Sequence, residues 1–123
     1  MKVQEHRGCW LLDVEGQADF EEGEVLRSAM DETGGKPLPV MVIDLSALTF
    51  ADTAFLHWLL EARRAHEEAG TLLILAGPLG PQVTRLLTVT GTMDHFTVAG
   101  DAASALTLGE SFCEGRRPEG DQR

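Results

Sequence analysis

Short apolar runs alternate along this chain with longer segments in which apolar residues recur every three to four positions. The runs predict β-strands, and the longer segments predict amphipathic helices. Strands are predicted at residues 3–5, 9–14, 40–45, 71–76 and 96–98. Helices are predicted at residues 19–31 and 53–68, from Pro81 to an exit at Gly91, and from a cap at Asp101 onward. The predicted order of elements is therefore β-β-α-β-α-β-α-β-α.

Two of the predicted strands, residues 40–45 and 71–76, are almost continuously apolar. Such runs are typical of strands covered on both faces, as in a parallel sheet. The alternation of strands and helices predicts right-handed crossovers and one extra strand at an edge. We therefore predict a single α/β domain over residues 1–113, with a mainly parallel, mixed sheet of about five strands packed with four helices. Gly16 is expected to end the second strand, and residues 114–123 to form a polar, flexible tail.

The clearest helix follows the third predicted strand. Asp52 or Thr53 begins it, since both residues are favoured N-caps, and Gly70 ends it. Apolar side chains at helical spacing predict a buried stripe, formed by Leu56, Leu59, Leu60 and Ala62. On the solvated face, two i,i+4 ion pairs are predicted, Arg63 with Glu67 and Arg64 with Glu68.

Two aromatic residues of this helix allow two interpretations. Phe55 and Trp58 lie three positions apart, a spacing more typical of a core face than of a contact surface. If they were exposed, they would be the best candidates for interface anchors. In the preceding strand, Asp44 is expected to accept backbone hydrogen bonds from the loop that follows the strand, because a buried carboxylate needs partners.

The composition fits an ordinary folded domain. Of 123 residues, 43% are hydrophobic and 24% charged, which argues against intrinsic disorder. The 20 acidic residues against 10 basic ones give a formal net charge of −10, a field that repels nucleic acid and anionic membrane surfaces. The two cysteines, Cys9 and Cys113, suggest no disulfide framework. With no apolar run long enough to span a bilayer and no signal peptide, we expect a soluble cytoplasmic protein.

Candidate catalytic and metal-binding groups are few. His57 and His66 are nine residues apart, nearly opposite on a helix, so they are not expected to share a metal ion. The spacing offers no nucleophile–base pair and no carboxylate dyad, so we expect no catalytic residue, no cofactor and no enzyme activity. Two prolines within residues 77–81 argue against a phosphate-binding loop. A phosphoaspartate receiver domain is excluded because it needs a late lysine, and the only lysines are Lys2 and Lys36.

The segment that joins the third strand to the following helix carries a distinctive motif. Residues 42–54 read Val-Ile-Asp-Leu-Ser-Ala-Leu-Thr-Phe-Ala-Asp-Thr-Ala. This resembles the signature of STAS domains, the family of bacterial anti-sigma factor antagonists, in which a strand ending Asp-Leu-Ser leads by a short loop into a helix opening Asp-Ser-Ser-Gly. Gly-Gln-Ala-Asp at residues 16–19 resembles the family's Gly-Glu-Leu-Asp, and residues 81–91 resemble its helix ending Leu-x-x-x-Gly. The resemblance extends over residues 3–110 in the family's order and spacing.

The resemblance implies a regulatory protein that acts by changing partners. Such an antagonist binds an anti-sigma factor, which is also a serine/threonine kinase, and so frees the sigma factor. The kinase phosphorylates the first hydroxyl residue of the Asp-Ser-Ser-Gly motif, which corresponds to Thr53, and a phosphatase reverses the reaction. By the same resemblance, the partner-binding residues are expected to be Asp19, Asp52, Thr53, Ala54, Phe55 and His57. The chain departs from the motif in having Thr-Ala-Phe where Ser-Ser-Gly is usual.

A phosphate at Thr53 is physically compatible with a helix that begins there. A hydroxyl at a helix N-terminus faces unpaired backbone N–H groups, so a phosphate there need not disturb the helix. It would add about −1.5 to −2 charges beside Asp52 and repel a partner docked over the helix end. The alternative function is a STAS module without phosphorylation, either a scaffold subunit of a signalling assembly or a sensor that holds a small ligand. The sequence predicts no particular oligomeric state.

Overall fold

The computed structural model describes residues 2–6, 8–18 and 39–116 of the chain. Within these ranges there are five strands, three α-helices and one short 3-10 helix. The strands are β1 (Lys2–His6), β2 (Cys9–Ala18), β3 (Val40–Ala51), β4 (Leu72–Ala76) and β5 (Thr97–Ala99). The helices are α1 (Thr53–Ala69), α2 (Pro81–Val89) and α3 (Ala102–Arg116), with the 3-10 helix at Met93–His95. The helix predicted for residues 19–31 lies outside the described residues.

The five strands form one mixed sheet in the order β1-β2-β3-β4-β5. The β1 strand pairs antiparallel with β2, and all other neighbours are parallel. The antiparallel strand lies at an edge, as the chain order predicts: two residues separate β1 from β2, a connection long enough for an antiparallel pair, whereas parallel strands need a longer crossover. The predicted α/β fold with a mainly parallel sheet of five strands is confirmed.

Both faces of the sheet are covered, which explains the continuous apolar runs. In β3, Met41 and Ile43 face α1 and α2, while Val40 and Val42 face α3. Successive side chains of a strand point to opposite faces, so a strand between two helical layers must be apolar at every position. Gly109 of α3 lies against the sheet, since a Cβ atom there would come within 2.8 Å of the Cys9 sulfur.

The second and third strands are longer than the sequence predicts. Gly16 does not end β2: its φ of 76° accompanies a register shift, and the strand continues to Ala18. The β3 strand continues beside it to Ala51, where a short loop is expected from the resemblance. The physical reason is a bulge, which absorbs an extra residue without ending the ladder, and glycine tolerates its positive φ.

The C-terminal helix runs past the predicted start of the tail. Asp101 accepts a hydrogen bond from the Ser104 backbone N–H at 2.7 Å, which confirms its predicted capping role. From there α3 extends to Arg116, three residues into the segment predicted to be flexible, and residues 117–123 lie outside the described residues. No helix among the described residues is long and apolar enough to cross a membrane.

Candidate functional site

The junction between β3 and α1 holds the motif that the sequence singles out. Asp52 is the N-cap of α1: its backbone is extended, and its carboxylate accepts a hydrogen bond from the Phe55 N–H at 2.9 Å. Its carbonyl accepts the first helical bond, from the Leu56 N–H at 3.1 Å. Asp52 and Thr53, both favoured capping residues, therefore have different roles: Asp52 is the N-cap, and Thr53 is the first residue of the helix.

Thr53 lies at the surface. Its side chain is exposed, and its hydroxyl makes no hydrogen bond to another of the described residues. It is followed by half-buried Ala54, and one turn later on the same helix face His57 is exposed. The hydroxyl is therefore open to an approaching protein, beside backbone N–H groups that have no partner within the helix.

Phe55 is not available at this surface. Its side chain is 0% exposed and packs in the core on the α1 and α2 side of the sheet. Trp58 is 6% exposed, and the two rings stack with centroids 6.0 Å apart and an interplanar angle of 23°. The core interpretation of this pair is confirmed. The expectation that Phe55 contacts a partner is wrong for this structure, because the ring points into the core.

Another aromatic ring lies at the junction, at a position for which the sequence predicts no role. Phe50, three residues before Thr53, is 43% exposed. It sits on the part of β3 that pairs with the extended β2, opposite Gln17, where the burial of Leu48 and Ala51 leaves it on the outside. Its signal in the sequence is an aromatic residue two positions before the capping aspartate. We call Phe50, Asp52, Thr53, Ala54 and His57 the junction surface.

Polar contacts support the strand that leads to this surface. Asp44 accepts a hydrogen bond from the Ser46 N–H at 2.9 Å, which confirms its predicted role, although within β3 and not in a loop. The Thr49 hydroxyl donates to the Gly16 carbonyl at 2.9 Å, across to β2. Asp19, the remaining predicted partner-binding residue, lies outside the described residues.

The charges of α1 lie away from its N-terminus. His57 lies 3.9 Å from Glu61, and both side chains are more than half exposed. The two predicted ion pairs are present, with Arg63 to Glu67 at 2.9 Å and Arg64 to Glu68 at 3.5 Å. Exposed pairs of this kind contribute little stability. The acidic residues of these pairs, Glu61, Glu67 and Glu68, are two or more turns from Thr53, whereas Asp52 directly precedes it.

The far end of α1 borders a cleft of about 210 Å³. His66 lines it, with Nδ1 at 2.8 Å from the Thr71 hydroxyl and Nε2 buried without a hydrogen-bond partner among the described residues. Burial lowers the pKa of His66, because the charged imidazolium loses hydration. No group of three or more potential metal ligands occurs within the described ranges.

Comparison with known proteins gives a family match. The model of the STAS domain matches residues 1–105 of this chain. No curated protein matches it. The fold is similar to that of an anti-sigma factor antagonist from Mycobacterium paratuberculosis, with 27% sequence identity and a TM-score of 0.74 over 88% of this chain and 91% of that chain.

Two further solved structures have the same fold. One is the Bacillus cell fate determinant SpoIIAA in its phosphorylated form, with 15% identity and a TM-score of 0.67 over 87% of this chain and 97% of that one. The other is a sulfate transporter family protein from Wolinella succinogenes, with 19% identity and a TM-score of 0.76 over 87% and 88%. At these identities the likeness concerns the fold alone.

Proposed function

Because this chain belongs to the STAS domain family, we propose that it is an anti-sigma factor antagonist that docks through the junction surface. It binds an anti-sigma factor, a serine/threonine kinase, and so releases the sigma factor that this partner holds. Phosphorylation of Thr53 ends the interaction, and a phosphatase restores it. The protein acts by binding and not by catalysis, in the cytoplasm where the sigma factor works.

The division of roles between Asp52 and Thr53 carries this proposal. Since the Asp52 carboxylate satisfies the Phe55 N–H at 2.9 Å, α1 does not need the threonine hydroxyl as its cap. Thr53 is exposed and begins the helix, so a kinase reaches its hydroxyl without unfolding the first turn. The 27% identity with a Mycobacterium paratuberculosis anti-sigma factor antagonist further supports the class of function.

The effect of a phosphate at Thr53 follows from charge. A phosphothreonine carries about −1.5 to −2 charges, here placed next to the Asp52 carboxylate. The first-turn amides of α1 partly compensate this charge, so the helix itself is preserved. A docked partner gains no such compensation and meets both repulsion and the cost of desolvating the phosphate. A change of about 3 kcal/mol would reduce the affinity about a hundredfold.

Phe50 is the contact that we expect to contribute most of the binding energy. It is the large apolar side chain exposed on the junction surface, at 43%. Aromatic residues at the centre of an interface commonly dominate affinity, because they bury a large area at little entropic cost. The neighbouring polar residues Thr53 and His57 then form the part of the contact that a phosphate can disrupt.

Phosphorylation is tested by incubating the protein with candidate anti-sigma kinases and ATP, followed by intact mass measurement and mapping of the modified residue. We expect one phosphate, on Thr53. Thr53→Ala should abolish it, whereas Thr107→Ala, at an exposed helical threonine elsewhere, should leave it unchanged. A phosphate on another residue would contradict the proposed site.

Partner affinity tests the second half of the proposal. Thr53→Ala should bind the kinase constitutively, and Thr53→Asp should bind at least about tenfold more weakly, because it adds a negative charge at the docking face. Equal affinities for both variants would overturn the phosphorylation switch. A stable complex without any modification would instead favour the alternative, a STAS scaffold. The Thr-Ala-Phe sequence at residues 53–55 is the observation that keeps this alternative open.

A further inference from the structure

The backbone just before the N-cap of α1 is held by a side chain from a distant element. Gln82, the second residue of α2, accepts a hydrogen bond from the Ala51 N–H through Oε1 at 2.8 Å. Its Nε2 donates to the Ala51 carbonyl at 2.9 Å. One side-chain amide thus pairs with both polar groups of a single backbone residue, 31 positions away in sequence.

The position of these bonds explains why an amide is needed there. The β2 strand pairs along one edge of β3 as far as Ala51, whereas β4 pairs along the other edge only as far as Asp44. Beyond that point none of the described strands pairs with the second edge of β3. The Gln82 amide presents its oxygen and one of its two N–H groups on the same side, as a strand residue presents its C=O and N–H to a neighbouring strand, and it occupies the ladder position that β4 leaves open.

The amide is itself fixed in place. The α2 helix is anchored by Val83 and Leu87, which are 2% and 1% exposed in the same core as Phe55. At its start, a Cβ atom on Gly80 would lie 3.4 Å from the Leu48 carbonyl, so the helix end lies directly against β3. The orientation of the amide is defined as well, because the reversed orientation would set oxygen against oxygen and nitrogen against nitrogen.

Ala51 directly precedes Asp52 and Thr53, and it is 2% exposed. Water therefore does not readily replace a hydrogen bond lost there, and the two backbone groups depend on Gln82. We propose that Gln82 is a positioning residue for the junction surface: its amide fixes the end of β3 and thereby the place of the N-cap and of the Thr53 hydroxyl. The inference rests on the proposed function for the importance of Thr53, but the hydrogen bonds can be tested without a partner.

The test uses Gln82→Glu in the full chain. An ionised carboxylate still accepts from the Ala51 N–H but sets a second oxygen against the Ala51 carbonyl, whereas a protonated carboxyl can present one donor and one acceptor to Ala51, as the amide does. Hydrogen exchange measured by NMR should show protection of the Ala51 N–H reduced about tenfold at neutral pH. Protection should return toward the wild-type value below about pH 4, where a carboxyl with the ordinary glutamate pKa of about 4.3 is mostly protonated. Gln4→Glu, at an exposed residue of β1, controls for the added charge.

The same variants are then tested for phosphorylation of Thr53 and for kinase affinity at neutral pH. We expect Gln82→Glu to lower both about tenfold while Gln4→Glu leaves them unchanged. Unchanged Ala51 protection in Gln82→Glu, or protection that does not recover on acidification, would overturn the inference. Reduced protection with normal phosphorylation and affinity would also overturn it, since the residue would then not position the surface. If wild-type protein is neither bound nor phosphorylated while the exchange results hold, the proposed function fails and the hydrogen bonds stand.

Discussion

Two phenylalanines five positions apart have opposite environments. Phe55 is 0% exposed, on the inner face of α1, and Phe50 is 43% exposed, on the outer face of β3. Both belong to one short segment, so hydrophobicity alone does not distinguish them. In the last part of β3 the buried residues Leu45, Leu48 and Ala51 recur every three positions and not every two, because the register against β2 shifts twice there, and this irregularity leaves Phe50 at the surface.

Truncation of each ring should therefore have a different effect. Phe55→Ala removes a fully buried ring and should lower the free energy of unfolding by about 3–5 kcal/mol. Phe50→Ala should cost about 1 kcal/mol or less, because much of the ring is already in water. Urea denaturation measures both losses. The affinity for the kinase should also fall for Phe50→Ala, under conditions in which the variant is fully folded. Equal losses of stability in the two variants would contradict the assignment of Phe55 to the core and Phe50 to the junction surface.

At the scale of the element, α1 is defined at both ends by local chemistry. Asp52 caps its N-terminus through the 2.9 Å bond from the Phe55 N–H, and Gly70 ends it with a φ of 74°. Both ends were predictable, since an aspartate before an apolar-periodic segment and a glycine after it are typical boundaries. The choice between Asp52 and Thr53 as cap was not, because both side chains are competent.

Removal of the capping carboxylate tests that choice. Asp52→Ala should lower the stability of the protein by about 1 kcal/mol and increase exchange at the Phe55 N–H. Asp52→Asn keeps an oxygen acceptor and should retain most of the stability, although it removes the charge. These free energies come from chemical denaturation. If Asp52→Ala were neutral and Thr53→Ala costly, the cap would belong to the threonine and the hydroxyl would not be free for modification.

At the scale of the whole molecule, α1 packs against one face of the sheet. His66, near the C-terminal end of this helix, is partly buried. His66 bonds to Thr71, next to the start of β4, and its Nε2 is buried. The cleft it lines also contains Arg63, Glu67 and two residues of the 3-10 helix, Asp94 and His95. The neutral imidazole is favoured in the folded state, because burial lowers its pKa.

This burial predicts a loss of stability on acidification. The folded-state pKa of His66 lies below the ordinary value of 6.5, so the unfolded chain binds the proton more readily. The contribution of His66 is therefore complete above about pH 6.5 and is lost as the pH falls through its folded-state pKa. His66→Asn, which keeps a polar group near Thr71, should lose less stability than wild type between about pH 8 and pH 5. Denaturation at a series of pH values measures the difference, and parallel curves would show that His66 does not contribute.

The sequence alone determined the class of fold and the segment that carries the family motif. The buried runs of β3 and β4, the amphipathic stripe and ion pairs of α1, the cap at Asp101 and the motif around Thr53 all depend on residues close to one another in the chain. Such local patterns are set by the periods of the two regular structures and by the chemistry of helix ends. They are therefore visible without a three-dimensional structure.

The tertiary structure decided which side chains and backbone groups of this segment are exposed, buried or bonded. The continuation of β2 through Gly16, the length of β3, the outward position of Phe50 and the contact of Gln82 with Ala51 each depend on which strand or helix lies alongside. Those neighbours come from distant parts of the chain, as the 31-residue separation of Gln82 from Ala51 illustrates. Register and packing between distant segments fix these features, and no local pattern encodes them.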